Sequence, residues 1–280
     1  MLEGRKLLNL SPMERIIFLT FLIPFCLCGQ NAMDQKPDAS SLALGGAGLA
    51  RIDSWSSHNN PAALAFLKED FICSSHRQVL GLRALQRSAF SANFKSFGRQ
   101  IAINLEYYGF QYYNQSKLML AYGQKISKSI SLGLRLGSEA YYIEAGSSGW
   151  LPSTEFFLFG KSGTKLQYGL ALKNPFSRKL SHNLHLKPSS YSVGLLYQFK
   201  KELNFSLEVE SAWRESILLM SGLEYHISEA LYLRLGGQYR EKVNFSAGAG
   251  LVLQKFRLNL AYLQSSAWGS EMCLDLSFQF

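Results

Sequence analysis

The chain has 280 residues, a formal net charge of +9, 47% hydrophobic residues and 13% aromatic residues. A helical membrane protein needs runs of about 20 apolar residues, and only the N-terminus approaches one, so that class is excluded. Lysine and arginine are spread along the chain without a basic stripe, which excludes a nucleic-acid partner. With 14 Tyr, 19 Phe and only 7 Pro, the composition favours strands.

Met13-Glu14-Arg15 precedes the apolar run Ile16 to Gln30, which has a small residue near its end. A short charged region followed by an apolar core reads as a cleaved secretory signal peptide over residues 1–30, ending near Gly29 or Gln30. Cys26 and Cys28 fall inside it, which leaves Cys73 and Cys273 in the mature chain.

Residues 31–69 form a separate segment. Its first part is polar, and Ser40 to Ala65 follows with three glycines among small residues. Glycine allows tight folding and close approach of another backbone. Asn60-Pro61 marks a turn, and Pro61 suits the first position of a short helix over Ala62 to Phe66. An irregular glycine-rich segment is tolerated inside a barrel because the wall shields it from lipid. We expect an N-terminal plug in the periplasmic mouth, with a mobile periplasmic tail as the alternative.

Residues 70–280 alternate with period two, the pattern of half-buried strands. Ile101, Ile103, Leu105 and Tyr107 alternate with Ala102, Asn104, Glu106 and Tyr108. Leu203, Phe205, Leu207 and Val209 alternate with Asn204, Ser206, Glu208 and Glu210. In the final stretch Met272, Leu274, Leu276, Phe278 and Phe280 share one face, and Glu271, Asp275, Ser277 and Gln279 share the other. One apolar wall and one charged wall, strand after strand, suits a barrel that is lipid-facing outside and polar inside. A soluble sandwich would instead need Greek-key connections.

The expected fold is an all-β, antiparallel up-and-down transmembrane barrel of roughly fourteen strands, an even number as single-chain bacterial barrels require. Strand starts are expected near Phe71, Ala89, Ile101, Leu118, Ile130, Glu155, Leu166, Tyr191, Leu203, Ile217, Leu231, Val243, Phe256 and Met272. Alternate connections are short, as at Lys200-Lys201-Glu202 and Gln254-Lys255, and these should be periplasmic. The expected location is the bacterial outer membrane. Phe278 and the terminal Phe280 are expected to serve as a signal to the barrel-assembly machinery.

Glu106, Arg135, Glu208, Glu210, Arg234, Arg240, Arg257 and Asp275 are expected to line the lumen. They would serve either as paired charges filling it or as a polar path or plug-docking surface. Cys73 and Cys273 lie on the first and last strands, so a seam disulfide is one possibility. His182 and His185 share a loop without an acidic or cysteine partner, and no metal or cofactor is expected. No Ser–His–acid arrangement stands out, so no enzyme is expected.

Leu44-Gly45-Gly46-Ala47-Gly48, then Asp53, then Asn60-Pro61-Ala62 resembles the N-terminal signature of the FadL-type outer-membrane barrels, closest to their PorV/PorQ-like branch in Bacteroidota. PorV/PorQ-like members serve the type IX secretion system. That resemblance implies an adaptor barrel that binds secretion-system proteins or their cargo. FadL-like members imply instead a passive channel for small hydrophobic compounds, with an N-terminal hatch and a lateral opening in the wall. The inward residues are mostly charged, small or amide-bearing, which favours the adaptor. Met119, Leu196, Val252 and Leu263 are the apolar exceptions.

Overall fold

A computed structural model describes residues 36–96, 99–144, 146, 148–176, 189–212, 215–266 and 269–280. The signal segment, Cys26 and Cys28, residues 31–35 and the loop histidines His182 and His185 lie outside the described residues.

Three short helices come first: α1 (Ala39–Ala43), α2 (Ser56–Asn59) and α3 (Pro61–Leu64). Fourteen strands follow. They are β1 (Phe71–Val79), β2 (Leu82–Ser96), β3 (Arg99–Phe110), β4 (Tyr113–Lys125), β5 (Ile130–Ile143), β6 (Gly149–Ser162) and β7 (Leu166–Lys173). The second half comprises β8 (Ser190–Lys200), β9 (Leu203–Ala212), β10 (Leu218–His226), β11 (Leu231–Tyr239), β12 (Val243–Leu253), β13 (Phe256–Ser265) and β14 (Gly269–Gln279). Each strand pairs antiparallel with its sequence neighbours, and β1 pairs with β14, closing the barrel.

The ladder is continuous around the ring. Among the described residues its register shifts at Gln78/Val79 and between Gln198 and Lys200. The pairing of β2 with β3 runs without interruption from Arg87 opposite Tyr108 to Ser96 opposite Arg99. No unzipped strand pair, of the kind a lateral opening would need, is present among the described residues.

Burial alternates as the sequence pattern requires. On β14, Glu271, Cys273, Asp275 and Ser277 are buried inside, while Met272, Leu274 and Leu276 are exposed outside. The same rule leaves Leu120, Leu235 and Leu260 more than half exposed on the outer wall. An apolar belt of this kind is a surface for lipid, not water.

The two ends differ. Short turns at 126–129, 163–165, 201–202, 227–230 and 254–255 mark one end, here the turn end. The other, the loop end, carries the longer connections 144–148, 174–189 and 213–217, beside short ones at 80–81, 111–112 and 240–242.

Cys73 and Cys273 both face inward, but the register separates them. Cys73 lies opposite Ser277, and Cys273 lies opposite Arg77. Both thiols are free, so the seam disulfide does not form. Their Sγ atoms donate instead to Ser54 O and Pro37 O, at 3.3 and 3.4 Å. The expected helix over Ala62 to Phe66 begins one residue earlier, at Pro61, and ends at Leu64.

Candidate functional site: the inner segment and the lumen

Residues 36–67 lie within the ring of strands. Helix α1 packs on β11 to β14, α2 on β2 and β3, and α3 on β4 to β6. Every residue from Asp38 to Leu44 is buried, as is every residue from Ser54 to Leu64. So little regular structure survives there only if its polar groups find partners.

Asp38 caps α1. Its Oδ2 accepts from Ser41 N at 2.7 Å and Ser40 Oγ at 2.6 Å, and its Oδ1 accepts from Asn59 Nδ2 at 3.0 Å. Burial works to raise this carboxyl, but these donors prevail and hold it below the usual carboxylate range. Asp53 has fewer donors. Burial raises it, against the pull of Arg51.

The wall reaches the segment mainly through carboxylates. Asp275 Oδ2 accepts Ala39 N at 2.8 Å. Glu208 Oε2 accepts Gly48 N at 3.0 Å and Leu49 N at 2.9 Å, and its other oxygen meets the Lys36 ammonium. Glu224 takes Arg51 at 3.1 Å and Arg234 at 2.6 Å. Arg234 passes on to Asn259, which donates to Asp275, so one network runs from Arg51 to the start of α1.

On the far side, Arg135 pairs with Glu155 and donates to the carbonyls of Ser57 and His58 at 3.1 and 2.5 Å. His58 Nδ1 lies 3.2 Å from Glu106, which also pairs with Arg87. Burial lowers the His58 imidazole, and Arg135 and Arg87 add to that, with Glu106 opposing.

Asn60-Pro61-Ala62 is a junction. Asn60 Nδ2 donates to Leu49 O at 2.8 Å and Leu158 O at 3.2 Å, while its Oδ1 accepts Ala62 N at 3.0 Å as the cap of α3. One amide thus holds two parts of the segment against β6. Pro61 occupies the first turn of α3, where a missing N–H costs nothing.

Glycines on the inner wall make room for this. A Cβ on Gly236 would sit 2.3 Å from Gly45 N, one on Gly133 2.3 Å from Ala62 N, and one on Gly169 2.5 Å from Leu49 O. Gly123 and Gly222 face Pro61 O and Leu44 Cα in the same way. The segment returns the fit: Gly45 has φ +68° and approaches the Gly237 backbone, where a Cβ would meet a carbonyl at 2.3 Å. Gly46 has φ +97°, and Leu44 and Ala47 beside the pair are buried.

The structure places Glu106, Arg135, Glu208, Arg234 and Asp275 in the buried lumen. Glu210 is partly buried, near Lys173 at 3.5 Å. Arg257 lies at the turn end, over the Phe71 ring. Arg240 is in the β11–β12 turn, not on a strand, where it pairs with Glu215 at 2.7 Å at the loop end. The alternation that suggested a lumen position ends at Tyr239. Phe278 packs on Phe256 with ring centroids 4.9 Å apart, and Phe280 is exposed. Of the apolar inward residues, Met119, Leu196 and Leu263 are buried and Val252 is half-buried.

Sequence reasoning missed Glu155, Glu224, Arg51 and the glycine seats. Inward glycines recur on the polar face of several strands, and that recurrence was their signal. The main apolar cluster inside is Leu49, Ala62, Ala63, Phe157, Phe159 and Ala171, with Ile52 and Phe66 against it.

These features define a class: a closed fourteen-stranded antiparallel barrel whose interior is occupied by its own N-terminal segment and by paired charges. The fold matches that of FadL-type outer-membrane barrels. The Ralstonia pickettii toluene transporter TbuX is similar at TM-score 0.66 and 11% identity, over 88% of this chain and 99% of that one. The Pseudomonas putida toluene transporter TodX is similar at TM-score 0.66 and 12% identity, over 86% and 97%. A Pseudomonas aeruginosa FadL homologue follows at TM-score 0.61 and 11% identity, over 87% and 98%. No family model matches the chain, and no curated protein matches it. The comparisons give no support to the PorV/PorQ-like branch.

Proposed function

We propose that the chain is an outer-membrane barrel that admits small hydrophobic compounds, with residues 36–67 as a plug closing its lumen. The observation that carries this reading is the shared fold with toluene transporters over nearly their whole length. The apolar outer belt supports a lipid surround. In this reading the turn end faces the periplasm, and the N-terminal signal peptide exports the chain. The buried cluster from Leu49 to Phe159 seals the plug against the wall, and a hydrophobe would meet it only as the plug is displaced.

The test is uptake of radiolabelled toluene by a Gram-negative host that expresses the chain in its outer membrane. Uptake above that of the empty host is expected. Equal uptake, with folded barrel confirmed in the outer membrane, removes the transport reading.

One observation favours a second reading, a protein-binding adaptor in secretion: the interior carries many paired charges among the described residues. Purification in mild detergent separates the two. A bound hydrophobe supports the channel, and a stoichiometric protein partner supports the adaptor.

A further inference from the structure

Two groups of cations in this barrel contrast. Deep in the lumen, Arg51, Arg77, Arg87, Lys117, Arg135 and Arg234 each meet a carboxylate. At the turn end the pattern changes. Lys125 and Lys161, on β4 and β6, converge on one ring: their Nζ atoms lie 4.7 and 4.5 Å from the Phe66 centroid. Arg257 on β13 lies 4.9 Å from the Phe71 centroid. Lys68 and Lys95 are exposed at the same end. No ion pair holds any of these five among the described residues. The carboxylates nearest in sequence, Glu69 and Asp70, do not pair with them either.

A ring face attracts a cation but does not neutralise it. Two ammonium groups over one ring therefore repel each other, and no carboxylate among the described residues pairs with either. An anion from outside would offset it.

Direction decides which kind of anion. Lys125 continues the inward set Met119, Ala121 and Gly123, and Lys161 continues Phe157 and Phe159. Arg257 precedes inward Asn259 and Ala261. These groups face over the mouth of the lumen. The head groups of surrounding lipid would be met by outward side chains instead. The two rings are also the places where the inner segment ends and β1 begins, so the basic mouth is held on ordered structure.

We propose that the turn-end mouth is a docking surface for an acidic segment of a periplasmic protein, with Lys125, Lys161 and Arg257 as its contact residues. The proposal rests on the outer-membrane reading above, which makes the turn end periplasmic.

The test uses the full mature chain in nanodiscs of zwitterionic phosphatidylcholine, with a fluorescent oligoglutamate peptide as probe. Anisotropy should report saturable binding that weakens steeply between roughly 0.05 and 0.5 M salt, as screening shortens. The double variant K125E/K161E should bind about tenfold or more weakly. The K125R/K161R variant should bind like the parent, and so should K242E at the loop end. Heat-modified gel migration verifies that each variant is folded. Binding unmoved by K125E/K161E, or lost equally in K242E, overturns the proposal. So does the outcome in which K125E/K161E lowers phosphatidylglycerol retained through purification and leaves peptide binding intact, because lipid is then the occupant. The toluene uptake assay reads the transport function independently: its failure alongside intact peptide binding removes the channel and leaves the docking surface.

Discussion

Glu208 accepts the backbone N–H of Gly48 at 3.0 Å, through a carboxylate that is almost fully buried in the barrel wall. The same oxygen takes the N–H of Leu49, and Lys36 closes the other side. One acidic side chain on β9 therefore fixes a bend of the inner segment through charge-assisted bonds, the stronger kind.

Removing that charge should loosen the segment more than the barrel. The E208Q variant keeps the shape but leaves Lys36 without its carboxylate. Breaking one partner of a buried pair costs about 3–5 kcal/mol. Hydrogen exchange should show lost protection at residues 44–50, with the strand amides of β9 unchanged. Full retained protection at Gly48 and Leu49 would remove Glu208 as an anchor.

The glycine seats give a contrast within one strand. Gly236 faces Gly45, and an added Cβ would lie 2.3 Å from its nitrogen. The next residue, Gly237, points its Cβ direction outward, 3.4 Å from Asn244 O, an ordinary contact. The G236A variant should lose about 1–3 kcal/mol of segment docking, the usual cost of overpacking. G237A should lose little. Limited proteolysis near Gly46 ranks the two, and equal cleavage rates would contradict the fit described.

Acid should weaken docking through His58. Its imidazole is lowered below 6.5 by burial, with Arg135 and Arg87 contributing and Glu106 opposing. Undocked, His58 binds its proton more readily than docked, so the undocked state takes up more protons as pH falls. The stability contributed by neutral His58 is present above about 6.5 and is lost as pH falls through the lowered value. Asp53, raised by burial, acts in the opposite sense, so the His58 part is read as a difference: between pH 7.5 and 5 segment protection should fall more in the parent than in the H58Q variant. An unchanged slope in H58Q would assign the pH response elsewhere.

The two cysteines should behave as buried free thiols. Iodoacetamide should leave Cys73 and Cys273 unmodified in the folded barrel and alkylate both after unfolding. Peptide mass analysis without reductant should find no Cys73–Cys273 crosslink. A crosslinked peptide would contradict the register that sets Cys73 opposite Ser277.

Much of the wall was legible because lipid forces the outward residue of each strand to be apolar. Starts at Phe71, Ile130, Leu166, Leu203, Leu231, Val243 and Phe256 are those of the structure. Three strands begin at least five residues earlier than the pattern indicates: Leu82 against Ala89, Tyr113 against Leu118, and Gly149 against Glu155. All three extensions lie at the loop end, above the apolar belt. There the ladder continues, but nothing requires the outward residue to be apolar, so alternation fades. The interior was harder to read. Glycine in a strand equally marks a bulge, a bend or a close approach, and only the position of Ala62 or Gly45 distinguishes them. Arg240 shows the opposite error, where alternation was carried past the point at which the chain turns.

The seam between β1 and β14 has one more consequence. Ser54 bonds to Ser277 on β14 and receives Cys73 on β1, while Ala39 and Pro37 are tied to Asp275 and Cys273. The strands that meet last in sequence are thus fastened together from within by residues made before either of them. A ring closed over an empty interior would leave Asp275 without Ala39 and Glu208 without Gly48 and Leu49, so the wall and its filling stabilise each other.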